Sequence, residues 1–118
     1  MRAFQLQRQE LRESDIVKAC LDLLHWRHWK TVRIFCGPFY TYSKKQILNG
    51  APVGTPDYVC VHALHTGFFL EVKRPGGKLS PWQKERIAEI EQTYQVPCIK
   101  VDSARALKEF LDQHERKL

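Results

Sequence analysis

Apolar residues recur at two different periods along this chain, and the change of period marks out its elements. Between residues 13 and 28, "ESDIVKACLDLLHWRH" sets Ile16, Cys20, Leu23 and Leu24 on one side of a helix. "TVRIF" (31–35) is short and β-branched and predicts a strand. Residues 36–56 hold three glycines, three prolines and the pair Lys44-Lys45, which predicts a long loop with room for a small hairpin. Two apolar runs, 57–63 and 68–73, flank "LHTG" and predict a β-hairpin. "PGGKLS" then breaks the chain, and "SPWQ" opens a helix with Ser80 as N-cap, Pro81 in first position and Gln83 in third. That helix is expected to run to about residue 95 with Trp82, Ile87, Ile90 and Tyr94 inward. "PCIKV" (97–101) predicts a short buried strand, and "DSARALKEFLDQHERKL" a capped amphipathic helix that buries Leu107, Phe110 and Leu111. The order is α-β-β-β-α-β-α: an α/β fold whose mixed sheet begins as a meander and gains a crossover strand.

Composition narrows this little. A chain of 118 residues, 43% hydrophobic and 27% charged, suits one globular domain over 1–118. No apolar stretch approaches the roughly 18 residues of a membrane span, so no membrane partner is expected. "MRAFQLQRQELRESD" has no signal-peptide core, which predicts a cytoplasmic location. Cys20, Cys36, Cys60 and Cys98 lie far apart with no C-x-x-C pair and read as reduced thiols, three of them in apolar surroundings. Nineteen Lys+Arg against thirteen Asp+Glu leave a net charge of +6, which suits a polyanion such as nucleic acid.

The hairpin carries charges that a buried strand has no use for. Side chains alternate along a strand, so Glu71 and Lys73 share one face while Leu70 and Val72 take the other. With an odd-numbered loop, Asp57 joins them. A three-residue loop (64–66) sets Asp57 opposite Lys73, and a five-residue loop (62–66) sets it opposite Glu71, whereas an even loop breaks the group. Two adjacent carboxylates repel each other, and a hard divalent cation, Mg²⁺ or Mn²⁺, is what reconciles them. Such an ion polarises a phosphate and acidifies water, while Lys73 orients that water, deprotonates it or neutralises charge on the phosphate. An isolated Glu-x-Lys pair is most often a solvated ion pair worth under about 1 kcal/mol. Pro56-Asp57 across the hairpin and "RPGGKLSPWQ" directly after it give the trio more weight.

"GTPD" (54–57), "EVKRPGGKLSPWQ" (71–83) and the acidic helix start "ESDIVKA" (13–19) together resemble a VRR-Nuc domain. This is the virus-type replication-repair branch of the PD-(D/E)xK nuclease superfamily, whose stand-alone members are small phage or bacterial proteins. The resemblance spans nearly the whole chain and is most specific over 71–83. It implies a restriction-endonuclease-like core, metal-dependent phosphodiester cleavage, and homodimers that resolve branched DNA such as four-way (Holliday) junctions. By the same resemblance Asp57 and Glu71 are the metal-binding acids, the carbonyl of Val72 completes the metal shell, and Lys73 is the catalytic lysine. The helical glutamate maps to Glu13, with Glu10 as fallback and helix-dipole stabilisation as the alternative role for Glu13. Gln83 matches the glutamine that follows the E-x-K strand, yet Ser80-x-x-Gln83 is also a capping box in its own right.

Arg74, Lys78, Lys44 and Lys45 are candidate DNA-phosphate contacts, with a solvated surface as the alternative. Gly76-Gly77 permits a sharp turn or a close approach to DNA. "HWRHWK" reads as the end of a core helix, not as zinc ligands, because no further ligands are near in sequence. His62 and His65 are expected near the hairpin tip, facing water. Tyr40 and Tyr42 pack the long loop or stack on unpaired bases. The leading expectation is therefore a metal-dependent DNA endonuclease selective for branched DNA. A relative of it acting on flap, nicked or duplex DNA competes with this reading. So do a non-catalytic nucleic-acid-binding module and a protein-interaction domain, which leave the acids and the lysine unexplained.

Overall fold

A computed structural model describes residues 12–41 and 46–116. Its elements follow the predicted order: α1 (Glu13–Trp26), β1 (Lys30–Arg33), β2 (Pro38–Thr41), β3 (Gln46–Asn49), β4 (Tyr58–Val61), β5 (Phe68–Val72), α2 (Pro81–Thr93), β6 (Cys98–Val101) and α3 (Ala104–His114). Four strands form one mixed sheet in the order β1-β4-β5-β6. The first three pair antiparallel as a meander, and β6 lies parallel to β5 after the α2 crossover. Strands β2 and β3 make a separate antiparallel hairpin within the long 36–56 segment. Glu10, Lys44, Lys45 and Tyr42 lie outside the described residues, as does the side chain of Tyr40.

Alternation along β5 divides the molecule into two faces. Phe68, Leu70 and Val72 enter the core with Cys60 and Val101, against Ile16, Cys20 and Leu24 of α1 and Leu107 and Leu111 of α3. Phe69 and Glu71 take the opposite face, toward α2. Helix α1 stops at Trp26, two residues short of the predicted end. His28 then adopts a left-handed φ of 68°, which turns the chain so that Trp29 is buried while Trp26 stays exposed. Ser103 caps α3 by accepting from the Ala106 amide at 3.0 Å.

Two expectations need correction. Ile90 is buried and Ile87 half-buried on α2, but Trp82 and Tyr94 are 62% and 66% exposed. Helix α2 meets the sheet along β6, and the aromatics at its two ends lie mostly outside that contact. The histidines of the β4–β5 connection are half-buried instead of projecting into water. His62 and His65 lie against the buried Trp29 ring, with centroids 4.9 and 6.0 Å away. His62 Nδ1 accepts from the Leu64 amide at 3.0 Å, so its Nε2 carries the proton donated to the Arg27 carbonyl at 3.1 Å. The connection is long enough to fold back as a cover for Trp29, a non-local packing that local sequence does not reveal. All four cysteines are free thiols: Cys20 and Cys60 buried, Cys98 half-buried, Cys36 exposed. Among the described residues no helix is long and apolar enough to cross a membrane.

Candidate active site

The hairpin register decides where the acids stand. Tyr58 pairs with Leu70, Val59 with Phe69 and Cys60 with Phe68. Continued by one residue, that register sets Asp57 opposite Glu71, the alternative that corresponds to the five-residue loop. The Ile34 amide donates to the Asp57 carbonyl at 2.7 Å, so β1 fixes the aspartate's backbone from the other side. Lys73 Nζ lies 3.8 Å from Glu71 Oε2, completing the expected trio on one face.

Glu71 is the unusual member. It is 2% exposed, and its Oε1 is buried with no hydrogen-bond partner among the described residues. Burial pushes its carboxyl up to about 8, the neighbouring Asp57 carboxyl pushes the same way, and Lys73 only partly opposes them. Glu13, in the first turn of α1, adds a smaller repulsion that places it within the field of the site. The structure thus brings Asp57, Glu71, Lys73 and Glu13 into one electrostatic group. A buried carboxylate beside a second one is costly; the proton that Glu71 holds and its hydrogen bond with Asp57 relieve that cost, and a hard cation would take the proton's place.

A backbone oxygen is also left open. The Lys73 amide bonds the Val101 carbonyl at 2.9 Å and the Phe69 amide bonds the Pro97 carbonyl at 2.8 Å, so odd-numbered residues of β5 turn their peptide groups toward β6. Even-numbered residues therefore turn theirs toward β4. Two steps beyond Tyr58–Leu70, the same register brings Val72 opposite Pro56. Proline has no N–H, so it gives the Val72 carbonyl no donor. The proline of "GTPD" thereby keeps an oxygen free beside the two acids. The glycine of that motif does something different. Gly54 has φ +92°, and a Cβ there would stand 2.3 Å from the Trp82 carbonyl oxygen. The loop leading to Asp57 is pressed directly onto the first turn of α2, which joins the two motifs in space.

Two carboxylates, one with an orphaned oxygen, and an unpartnered carbonyl fit Mg²⁺ or Mn²⁺, with water completing the shell. Among the described residues no three His, Cys, Asp or Glu side chains form a cage on their own. Gln83 is committed elsewhere. Its Oε1 accepts from the Ser80 amide at 2.8 Å and its own amide donates to Ser80 Oγ at 3.2 Å, a complete capping box. Arg74 and Lys78 are exposed just beyond the strand that carries Glu71 and Lys73.

Arg33 is a member of the site that the sequence pattern did not single out. Its Nη1 lies 3.1 Å from Asp57 Oδ1, and its guanidinium carbon lies 5.6 Å from the Phe35 ring centre and 5.2 Å from that of Tyr58. The available signal was an arginine inside the apolar run "TVRIF", the same kind of anomaly that marks Glu71. Arg33, Ile34, Phe35, Cys36 and Asp57 line an open cleft of about 570 Å³ next to the acid pair. Comparison with protein-family models, curated proteins and solved structures finds no match to this chain.

Proposed function

We propose that this chain is a metal-dependent DNA endonuclease that hydrolyses phosphodiester bonds. The observation that carries the reading is Glu71, a buried carboxylate with one unpartnered oxygen, set between Asp57 and Lys73. Arg33 pairs with Asp57 and Lys73 with Glu71, so charge pairing alone does not distinguish the site; the buried Glu71 oxygen that neither base reaches does, and it suits charge-dense chemistry. Asp57, Glu71 and the Val72 carbonyl would hold the ion. When bound, Mg²⁺ or Mn²⁺ supplies positive charge to the phosphate and acidifies water. Lys73 is tethered through Glu71 where its ammonium can orient the attacking water and offset charge developing on the phosphate. Glu13 adds negative charge at the rim of the group and is the third candidate acid. Arg74 and Lys78 are positioned for phosphate contacts beyond the strand, and the net charge of +6 favours a polyanionic substrate.

The resemblance to VRR-Nuc domains extends the proposal to branched DNA and to a homodimer. Resolving a four-way junction takes two symmetric cuts, and a two-fold pair of chains supplies two sites. Labelled junction, flap, duplex and single-stranded DNA, incubated with Mg²⁺, Mn²⁺ or EDTA, test the proposal. Cleavage is expected with metal alone and is lost in Asp57→Ala and Lys73→Ala. Binding without cutting under every condition would favour a non-catalytic module.

A further inference from the structure

The cleft beside Asp57 has a wall that the carboxylate group does not use. Phe35 is 64% exposed on it, although a phenylalanine gains nothing from water. Arg33 lies over Phe35 and Tyr58, and its contact with Asp57 runs through Nη1 only, which leaves the rest of the fork facing the cleft. Within one small volume the molecule therefore offers an aromatic face, a guanidinium and the Asp57 carboxylate, with Glu71 buried behind it.

We propose that this cleft seats an unpaired nucleotide adjoining the scissile phosphate, its base stacked on Phe35 and its phosphate held by Arg33. The substrate class is then DNA with single-stranded character at the cut. This rests on the nuclease reading of Asp57, Glu71 and Lys73 and narrows its branched substrates from fully paired junctions to forms that carry an unpaired strand, such as flaps. A paired base has both faces covered by its neighbours and cannot stack on Phe35, and a duplex backbone presents sugar and phosphate to which an apolar wall adds little. Stacking on an aromatic ring accepts any base, because every base has a π face. The planar fork of Arg33 matches a phosphate and is held by the two rings it lies over. Cys36, the exposed thiol of the same wall, supplies a reporter within the cleft.

The test is binding in EDTA, so that cleavage plays no part, with oligonucleotides carrying 2-aminopurine in single-stranded, flapped and blunt-duplex form. Tighter binding of the unpaired forms, with quenched 2-aminopurine emission and slower alkylation of Cys36, is expected. Phe35→Ala should weaken binding of the single strand about tenfold more than binding of the duplex and abolish the quench, and Phe35→Trp should restore both. Arg33→Gln should also lower affinity for the single strand while leaving part of the quench. Unchanged single-strand affinity in Phe35→Ala, or preference for blunt duplex without quenching, overturns the inference and leaves metal-dependent cleavage to be judged separately. Failure to bind any DNA overturns both readings together.

Discussion

Glu71 ties the site to the stability of the whole chain. Its folded-state carboxyl is pushed up to about 8, above its ordinary value of 4.5, so the folded protein holds this proton more tightly than the unfolded chain does. The resulting stabilisation is fully present below the ordinary value and is lost as pH rises through about 8. Melting temperatures in EDTA should therefore fall from about pH 6 to about pH 9. Glu71→Gln should flatten that fall and leave the variant about 1–3 kcal/mol more stable than the parent at the alkaline end, with cleavage lost. A variant that melts with the parent's pH profile would refute the buried-carboxylate account. Alternation along "EVK" and the parity of the hairpin loop made Asp57, Glu71 and Lys73 legible in sequence, and the loop left two registers open. Arg33 was not legible, because its approach to Asp57 depends on how β1 pairs with β4 across a long intervening segment. The Val72 carbonyl was assigned only through family resemblance, and the proline opposite it supplies a physical reason.

At the scale of elements, the first turn of α2 is where two motifs lock together. Gly54→Ala forces a side chain onto the Trp82 carbonyl at a left-handed φ, and should cost about 2–4 kcal/mol in denaturant unfolding. Cleavage should drop further than the loss of folded protein explains, since Asp57 follows Gly54 by three residues. Gln83 separates capping from chemistry. Glutamate serves equally well in a capping box, so Gln83→Glu should retain the parent's melting temperature at neutral pH and its cleavage rate to within a few-fold. A rate loss of about a hundredfold with stability intact would instead mark the amide as part of the chemistry. The capping box was readable because it is local. The orientation of α2 was not: its aromatics sit at its two ends, and whether the sheet covers them is a tertiary matter. The strongly amphipathic α3 was placed correctly from its pattern alone.

For the whole molecule, charge and topology act together. The meander and the crossover strand followed from the alternation of elements, without any knowledge of chemistry, whereas the place of β6 beside β5 was not legible in the sequence. On the proposed nuclease reading Arg33, Arg74 and Lys78 contact phosphates, and DNA binding should then have a steep salt dependence. The slope of log affinity against log salt for duplex should be about −3 or steeper, and Arg74→Ala with Lys78→Ala should reduce it by nearly two. Anisotropy titrations at several salt concentrations measure this, and a flat response would remove those side chains from the interface.

The position of β1 at the margin of the sheet has a consequence unrelated to cutting. An outer strand presents unsatisfied peptide groups to any neighbouring chain, and a longer apolar edge would template fibrils. This one has four residues, Lys30–Arg33, with an exposed cation at each end. Arg33 therefore also guards against amyloid-like stacking of one copy upon the next, and an aliphatic residue in its place would cost the molecule that protection even where no nucleic acid is present.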